Sequence, residues 1–284
     1  MLPDLDLKNT VCLFDYDSAI YRAACPCEKK QYYVYQGDKL LGVVRTMTLA
    51  NELAKSVDFL DVEIEHKLFV EPVQNALANL DSIFESVTTS MPCAWEVYLT
   101  GSNNFRNKIA TLQEYKGNRK LTAKPQHYEA CRDRAIKKHR AVVINDMEAD
   151  DELAIRSEEL LAMGKTPVLV TIDKDLKQVG GWYYDWVKKE LEFIEPLEAK
   201  RYFYIQMLMG DSSDNIPGLP DVGPKTAAKL LSKCRSEEEM WRVVKDSYNK
   251  LWTLGKVDEA LQEIGTLLWM QRTRTVSLWS PCGS

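Results

Sequence analysis

The sequence lacks the features of membrane and secreted proteins. No apolar run approaches the length of a membrane span, and the first residues have neither the basic nor the apolar region of a signal peptide. The three histidines match no metal-binding spacing, and the seven scattered cysteines form no zinc-finger pattern. Internal repeats and low-complexity linkers are also missing. We therefore expect a globular cytoplasmic protein with reduced thiols, no membrane partner and, by default, a monomeric state.

The net charge of −5 argues at first against a nucleic-acid partner. Its distribution argues the other way. Residues 106–140 hold eleven basic residues and three acids, a local charge of +8, so the remainder of the chain carries −13. A groove for a polyanion beside a pocket of carboxylates would produce this separation of charge.

Apolar runs predict an α/β fold. Strands are expected at 10–14, 94–99, 141–144 and 167–172, with a hairpin over 182–186 and 191–194. Helical spacing covers 46–60, 73–88 and 148–163, and everything after Leu197 has a helical pattern. We predict a central, mostly parallel sheet flanked by helices in an α/β domain over 1–195, and an all-helical C-terminal part over 196–284.

Acidic residues stand in four tight groups, most of them at the end of a predicted strand or the start of a helix. The groups are Asp15 with Asp17, Glu148 with Asp150 and Asp151, Asp173 with Asp175, and Asp211 with Asp214. Because ligands of open parallel sheets bind beyond the carboxyl ends of the strands, three of the four groups are expected at one sheet edge. Carboxylates gathered there need a cation, and hard oxygen ligands suit Mg²⁺ or Mn²⁺. The pattern predicts metal-dependent phosphoryl transfer.

The stretch from Gly210 to Leu231 is the most specific part of the sequence. Gly223 allows a tight turn, and Pro224 falls at the first position of a helix. Free backbone N–H groups at that helix start, together with Lys225 and Lys229, would form a phosphate seat. The pattern is that of a helix–hairpin–helix at 211–231.

Each feature also has a simpler interpretation. Acids at 148–151 favour a helix N-terminus, and Asp-x-Asp at 173–175 is common in turns. Lys116 and Arg119 could form a solvated basic face. Three carboxylates within four positions exceed what helix capping needs. The presence of four acidic groups makes a metal-binding role more plausible for each of them than it would be for one group alone.

The spacing of these motifs resembles that of the 5′→3′ exonuclease and flap endonuclease family, closest to the enzymes of phages. The resemblance covers roughly residues 10–232 and rests on the following matches: Phe14-Asp15, Phe105-Arg106, Tyr115-Lys116-Gly117-Asn118-Arg119, Glu148-Ala149-Asp150-Asp151, Thr171-Ile172-Asp173-Lys174-Asp175-Leu176 and Met209-Gly210-Asp211-Ser212-Ser213-Asp214-Asn215-Ile216-Pro217-Gly218. Together they are specific, whereas any one of them alone would be weak.

The resemblance implies two metal ions. The first would be surrounded by Asp15, Glu148, Asp150, Asp151 and Asp173, and the second by Asp173, Asp175, Asp211 and Asp214. Lys116 and Arg119 would act on the scissile phosphate from the base of a helical arch around 106–140, with Tyr115 stacking on a nucleobase. Further DNA contacts are expected from Arg106, Lys124, Lys137, Lys138, Gly218, Gly223, Lys225, Thr226 and Lys229. The helix–hairpin–helix often binds K⁺ in this family, which implies a K⁺ site here.

The expected function is therefore a 5′→3′ exonuclease and 5′ flap endonuclease. It would act on DNA ends, nicks and flaps and on RNA–DNA hybrids at primers, in phage replication or recombination within the host cytoplasm. One departure matters: the family usually places an acid shortly before the Phe-Arg pair, and 99–104 contains none. Either Asp17 compensates for the missing acid, or the first metal site is weaker. A catalytically weak DNA-binding protein and a toxin-type ribonuclease remain alternatives.

Overall fold

The computed structural model describes residues 5–57, 61–121 and 123–281. The internal contacts divide the chain into two units, each described by itself below. The first comprises Met1–Ser18, Val87–Ala123 and His139–Ser284, and the second Ala19–Ser86 and Lys124–Lys138. The predicted domain boundary between 195 and 196 stays a prediction.

The described residues form the following elements in chain order. The strands are β1 Thr10–Asp15, β2 Glu28–Gln36, β3 Lys39–Val44, β4 Val62–Val70, β5 Ala94–Thr100, β6 Val142–Ile144, β7 Thr166–Val170, β8 Gly181–Asp185 and β9 Glu190–Ile194. The α-helices are α1 Asp17–Ala24, α2 Met47–Lys55, α3 Val73–Ser90, α4 Arg106–Ile109, α5 Tyr128–Lys138, α6 Ala149–Ala162, α7 Pro196–Met209, α8 Pro224–Leu231, α9 Glu237–Leu251 and α10 Val257–Leu268. Short 3₁₀ helices cover Cys25–Cys27, Gly117–Leu121 and Lys174–Val179.

The first unit contains a six-stranded, mostly parallel sheet in the order β6-β5-β1-β7-β8-β9. Only the β8–β9 pair is antiparallel, as the predicted hairpin requires. Central strand β1 pairs with β5 and β7, so that Val11 stands opposite both Ala94 and Pro167. All six residues of β1 are buried, which explains its apolar character on both faces. The predicted central parallel sheet is confirmed.

Helix α6 connects β6 to β7, as the strand–helix–strand pattern predicted. The two strands are parallel members of one sheet but are not neighbours, since β5 and β1 lie between them. Leu153, Ala154 and Leu160 of α6 are buried in the cluster that contains Leu13 of β1. This packing fixes the start of α6 close to the carboxyl ends of the strands.

The C-terminal part of the first unit is built from α7, α8, α9 and α10, as the helical pattern after Leu197 predicted. Phe203, Met207, Val244 and Ile264 are fully buried in a core that these helices share. Residues 269–281 are not helical, which corrects the expectation that the helical pattern extends to the end. In the described ranges, no helix is long and apolar enough to cross a membrane.

The second unit contains an antiparallel sheet, in the order β3-β2-β4, that the sequence analysis missed. Its inner face packs Val34 against Ala50 and Ala54 of α2. The predicted helix at 46–60 is shorter, ending at Lys55, and residues 58–60 lie outside the described residues. The run Tyr32-Tyr33-Val34-Tyr35, made of residues that favour strands and followed by the turn residues Gly37-Asp38, was the available signal.

Packing of the C-terminal segment can be tested at Gly265 in α10. A Cβ atom there would lie 2.2 Å from Cε3 of Trp279, so Gly265→Ala forces the buried indole ring to move. We expect a loss of about 1–3 kcal/mol in the free energy of unfolding, measured by urea denaturation. Gly223→Ser is the control, since no atom lies within 4 Å of its Cβ position and serine is a good helix N-cap. Equal losses in both variants would contradict the packing described here.

Candidate active site

The four acidic groups are attached to the elements that the sequence predicted. Asp15 is the last residue of β1, and Asp173 follows β7. Glu148 is the N-cap residue of α6, just after β6. Asp211 and Asp214 lie in the turn after α7, where Asp211 and Ile216 exchange two backbone hydrogen bonds of 2.9 and 2.8 Å. All four acidic groups therefore lie in the first unit.

Thr171 links the carboxyl ends of β1 and β7. Its hydroxyl donates to Oδ2 of Asp15 at 2.8 Å and accepts from the backbone N–H of Asp173 at 2.9 Å. Oδ1 of Asp173 in turn accepts from the N–H of Asp175 at 2.9 Å. Thr171 is fully buried, so this small network fixes the first and third acidic groups relative to each other.

Tyr115 and Lys116 join the second acidic group to the fourth. The Tyr115 hydroxyl lies 3.2 Å from Oε1 of Glu148 and 2.9 Å from Oδ2 of Asp214. The Lys116 ammonium forms an ion pair with Glu148, and its Nζ lies 3.5 Å from Oδ2 of Asp214. Arg119 pairs with Oδ1 of Asp214. The two predicted catalytic cations thus lie within the acidic cluster.

The pKa shifts show that these carboxylates share one poorly hydrated region. Burial, followed by the charges of Asp17 and Asp173, raises the pKa of Asp15 to about 7. Burial and the charges of Asp173, Asp211 and Asp214 raise the pKa of Asp175 to about 7. Desolvation and the charges of Asp15, Asp173 and Glu148 raise the pKa of Asp150 well above its usual value. Carboxylates from all four groups therefore repel one another across one basin.

Asp151 departs from its predicted role. It is fully buried, and its oxygens accept from Arg106 Nη1 at 2.5 Å and Nη2 at 2.9 Å. The backbone N–H groups of Glu148 and Gln271 donate to the same carboxylate at 3.1 and 2.9 Å. Because both oxygens are directed to protein donors, the expectation of Asp151 as a direct metal ligand needs correction. Asp151 instead closes the capping box at the start of α6.

Two predicted DNA contacts also disagree with the structure. Arg106 is 3% exposed, and besides Asp151 its guanidinium donates to the carbonyl oxygens of Leu267 and Trp269 at 2.8 and 2.9 Å. A phosphate contact would break this buried pairing. Tyr115 is 6% exposed and directs its hydroxyl into the acidic cluster, so its ring is not placed for stacking on a base.

The segment that lacks the expected acid is held by polar side chains. Oδ2 of Asp17 accepts from the N–H of Thr100 at 2.8 Å, and the Thr100 hydroxyl accepts from the N–H of Ala149 at 3.0 Å. Asn104 donates to Oε1 of Glu148 at 2.8 Å. Asp17 thus ties the end of β5 to the start of α1, and compensation by Asp17 stays a prediction.

The predicted helix–hairpin–helix residues lie on the turn after α7 and at the start of α8. Gly218 sits so close to Met209 that a Cβ atom would lie 2.1 Å from its carbonyl carbon, which explains the glycine. Gly223 is the N-cap of α8 and Pro224 its first residue, as predicted. Lys225, Thr226 and Lys229 are exposed. Contacts of these five residues with DNA stay predictions.

The basic residues of α5 belong to the second unit. Lys137 pairs with Asp133 at 2.9 Å, and Lys138 pairs with Asp81 at 2.7 Å. Lys124 lies 3.5 Å from Glu129 and 4.1 Å from the centre of the Tyr128 ring. The three ammonium groups are exposed, and their predicted DNA contacts and the predicted arch around 106–140 stay predictions.

The chemistry of the cluster fits a divalent cation, although the side chains are not spaced for one. Within the described ranges, no group of three or more His, Cys, Asp or Glu side chains is arranged to hold a metal ion. Lys116 and Arg119 instead neutralise Glu148 and Asp214. Burial, followed by neighbouring negative charge, raises the pKa values of Asp15 and Asp175. The donors are hard carboxylate oxygens, which are the ligands that Mg²⁺ or Mn²⁺ prefers.

Three residues of the site were missed or undervalued by the sequence analysis: Thr171, Asn104 and Glu263. Thr171 precedes an Asp-x-Asp motif at the end of a strand, which was a local signal for a supporting hydroxyl. Asn104 stands in the stretch where an acid was expected. No local pattern marks Glu263, which contacts Thr111 and Leu112 from 152 and 151 positions away.

Comparison with known proteins finds flap endonucleases, 5′-3′ exonucleases and DNA polymerases I, among them the DNA polymerase I of Bacillus caldotenax, which is 34% identical over 160 residues, covering 49% of this chain and 18% of the relative. The family described as 5′-3′ exonuclease, C-terminal SAM fold, matches residues 197–273. The flap endonuclease Xni of Shewanella amazonensis is 34% identical over 119 residues, covering 39% of this chain and 44% of the relative. A 5′-3′ exonuclease of Buchnera aphidicola is 31% identical over 170 residues, covering 55% of each. The chain spans about half or less of the length of these curated relatives.

Among solved structures, the T5 5′-exonuclease with bound zinc ions matches with a TM-score of 0.56. The match has 14% sequence identity and covers 91% of this chain and 89% of the other. At this identity the likeness shows the fold. It agrees with the mostly parallel sheet and the helical C-terminal part described above.

Neighbouring acids of α6 should differ in their effect on stability. Asp151→Asn leaves the buried Arg106 charge without its counterion and should cost about 3 kcal/mol or more. Asp150→Asn removes one of several repelling carboxylates and should raise stability by about 1 kcal/mol. Thermal and urea unfolding at neutral pH, with a chelator present, would measure both. Similar losses for the two variants would contradict the distinction drawn between them.

Proposed function

We propose that the chain, whose residues 197–273 match the 5′-3′ exonuclease family, is a divalent-metal-dependent 5′ nuclease of the 5′→3′ exonuclease and flap endonuclease kind. It would hydrolyse phosphodiester bonds at 5′ ends and nicks and cleave 5′ flaps in DNA. Removal of RNA primers from RNA–DNA hybrids, and a role in phage replication or recombination, belong to the same proposal. The observation that carries it is the convergence of four distant acidic groups around Lys116 and Arg119.

Two sets of carboxylates would hold the metal ions. Asp15, Glu148, Asp150 and Asp173 would hold the first, and Asp173, Asp175, Asp211 and Asp214 the second, with Mg²⁺ or Mn²⁺ as the ion. When bound, such ions lower the pKa of a water molecule and neutralise charge on the leaving oxygen. Asp151 is assigned a positioning role, because its pairing with Arg106 fixes the start of the helix that carries Glu148 and Asp150.

Lys116 and Arg119 would act on the scissile phosphate. Their charged groups lie at the mouth of the basin, with the Lys116 and Arg119 side chains 27% and 53% exposed, so a phosphate can approach them from solvent. Both would oppose the negative charge that develops on the phosphate oxygens during hydrolysis. The same cations pair with Glu148 and Asp214, and these ion pairs neutralise part of the negative charge of the basin.

The exposed start of α8 would seat the DNA backbone. Free N–H groups of a helix N-terminus favour a phosphate, and Lys225, Thr226 and Lys229 lie exposed in its first two turns. A K⁺ ion bound by backbone carbonyl groups of the preceding turn is part of the proposal. Lys124, Lys137 and Lys138 would add backbone contacts that do not depend on base sequence.

One observation favours a weaker enzyme. Asn104, in the stretch where the family usually has an acid, donates to Glu148 and adds no charge to the first metal set. A structure-specific DNA-binding protein with little cleavage is therefore the second candidate. Cleavage of a labelled 5′ flap with Mg²⁺, and its loss with a chelator, distinguishes the two.

Asp173→Asn should reduce flap cleavage by more than about 100-fold, because this carboxylate is proposed to touch both ions. Binding of the flap, measured by fluorescence anisotropy, should remain, since Asp173 is not proposed to contact DNA. Asp246→Asn on the exposed face of α9 is the control and should cleave normally. Cleavage by Asp173→Asn at the rate of the unmodified protein would refute the assignment, as would cleavage that a chelator does not affect.

The melting temperature with added metal or with a chelator is a second measurement of metal binding by the acidic cluster. We expect Mg²⁺ or Mn²⁺ to raise the melting temperature, because an ion that binds only the folded protein stabilises it, by about 2.7 kcal/mol at 100 times its Kd. In Asp173→Asn the increase should be much smaller. An equal increase in both proteins would place metal binding elsewhere.

A further inference from the structure

Glu263 of α10 binds the backbone of a distant loop. Its Oε1 accepts from the N–H groups of Thr111 and Leu112 at 2.7 and 2.8 Å, and its Oε2 accepts from the Thr111 hydroxyl. One carboxylate thus receives three donors from two consecutive residues. Hydrogen bonds to a charged acceptor are roughly twice as strong as neutral ones, so this contact fixes the loop more firmly than an ordinary surface hydrogen bond would.

The loop that Glu263 holds leads directly to the active site. Leu112 packs against the C-terminal core, and Tyr115 is buried in it. Lys116 has a left-handed backbone with a φ of 55°, a conformation that a lysine adopts only when its surroundings impose it. Its N–H donates to the carbonyl oxygen of Asp214 at 2.8 Å, so the backbone of Lys116 is held on one side by the acidic turn. Glu263 holds the same segment four to five residues upstream, at Leu112 and Thr111.

The end of α10 holds a second part of the site. The carbonyl groups of Leu267 and Trp269 accept from Arg106, and the N–H of Gln271 donates to Asp151. Residues 263–271 therefore contact both the loop before Lys116 and the ion pair at the start of α6. This segment lies beyond the helix–hairpin–helix, and no acidic or basic motif of the sequence marks it.

We propose that Glu263 is a positioning residue for Lys116. The inference depends on the proposed nuclease function, in which Lys116 acts on the scissile phosphate. By fixing the amides of Thr111 and Leu112, Glu263 sets the path of the chain into the left-handed Lys116 and so the place of its ammonium in the basin. Among the described residues, the hydrogen bonds of Glu263 go to Thr111 and Leu112 and not to the acidic cluster, and Glu263 is not proposed to contact DNA. We therefore expect its effect on cleavage to pass through Lys116.

Two substitutions of Glu263 distinguish the contribution of its hydrogen-bond acceptor from that of its negative charge. Glu263→Gln keeps a carbonyl oxygen for the two amides and should cleave within about twofold of the unmodified protein. Glu263→Ala removes all three bonds and should slow single-turnover cleavage of a 5′ flap about tenfold, since small displacements of a catalytic group are costly. The affinity for the flap, measured in chelator, should change less than about twofold, because α10 is not proposed to contact DNA.

A double-mutant cycle decides whether the effect passes through Lys116. Lys116→Met removes the ammonium and keeps the aliphatic chain, and in that background Glu263→Ala should produce no further loss. Full additivity, with the same tenfold loss in both backgrounds, would overturn the proposal and leave Glu263 as a general structural residue. Glu259→Ala, which removes an exposed carboxylate from the same helix and only its pairing with Lys256, is the control and should cleave normally.

Different results would contradict the proposed nuclease function and the proposed role of Glu263. If the unmodified protein does not cleave flaps with Mg²⁺ or Mn²⁺, the proposed function is wrong. If it cleaves and Glu263→Ala matches it, the positioning role is wrong. Should Glu263→Ala lower the melting temperature so far that it unfolds, Thr111→Val removes only the hydroxyl bond and should give a smaller loss, also absent in Lys116→Met. A loss for Thr111→Val that persists in that background would contradict the proposal.

Discussion

Mutual repulsion among carboxylates is the constraint on which the site depends. The carboxyl ends of parallel strands lie at one edge of the sheet, so Asp15, at the end of β1, and Asp173, shortly after β7, are brought close although 158 positions separate them in sequence. Burial and neighbouring charge then raise the pKa values of Asp15 and Asp175 to about 7. Lys116 and Arg119 relieve part of the repulsion. Bound cations or protons relieve such a concentration of negative charge, and the proposed chemistry uses the cations.

The acidic motif at the start of α6 contains two kinds of carboxylate. Asp150 faces the basin, where like charges raise its pKa, whereas Asp151 is enclosed by Arg106 and backbone N–H groups. A buried pair of this kind adds little net stability compared with apolar packing, but losing one partner is costly. The Arg106–Asp151 pair contributes mainly by fixing the N-terminus of α6, where Glu148 is the N-cap residue. The position of Glu148 and Asp150 thus depends on an ion pair that is itself buried.

The C-terminal helices contribute to the site as well as to the proposed DNA seat. Helix α7 ends at the turn that presents Asp211 and Asp214, and α8 begins a few residues later. Helix α10 holds the loop before Lys116 through Glu263. A shared buried core joins these helices. The proposed DNA seat, the second acidic set and Lys116 are therefore all attached to helices or loops that share one buried core of the first unit.

The sequence by itself determined the parallel sheet, the start of α8 and the four acidic groups, because apolar runs, a proline at a helix start and acids at strand ends are local patterns. It did not determine the antiparallel sheet β3-β2-β4, whose strands pair through contacts that residue patterns specify weakly. Only the tertiary structure assigned Asp151 to Arg106, 45 residues away, and Glu263 to Thr111, 152 residues away. An acid's neighbours decide whether it is a ligand or a structural partner, and distant parts of the chain supply those neighbours.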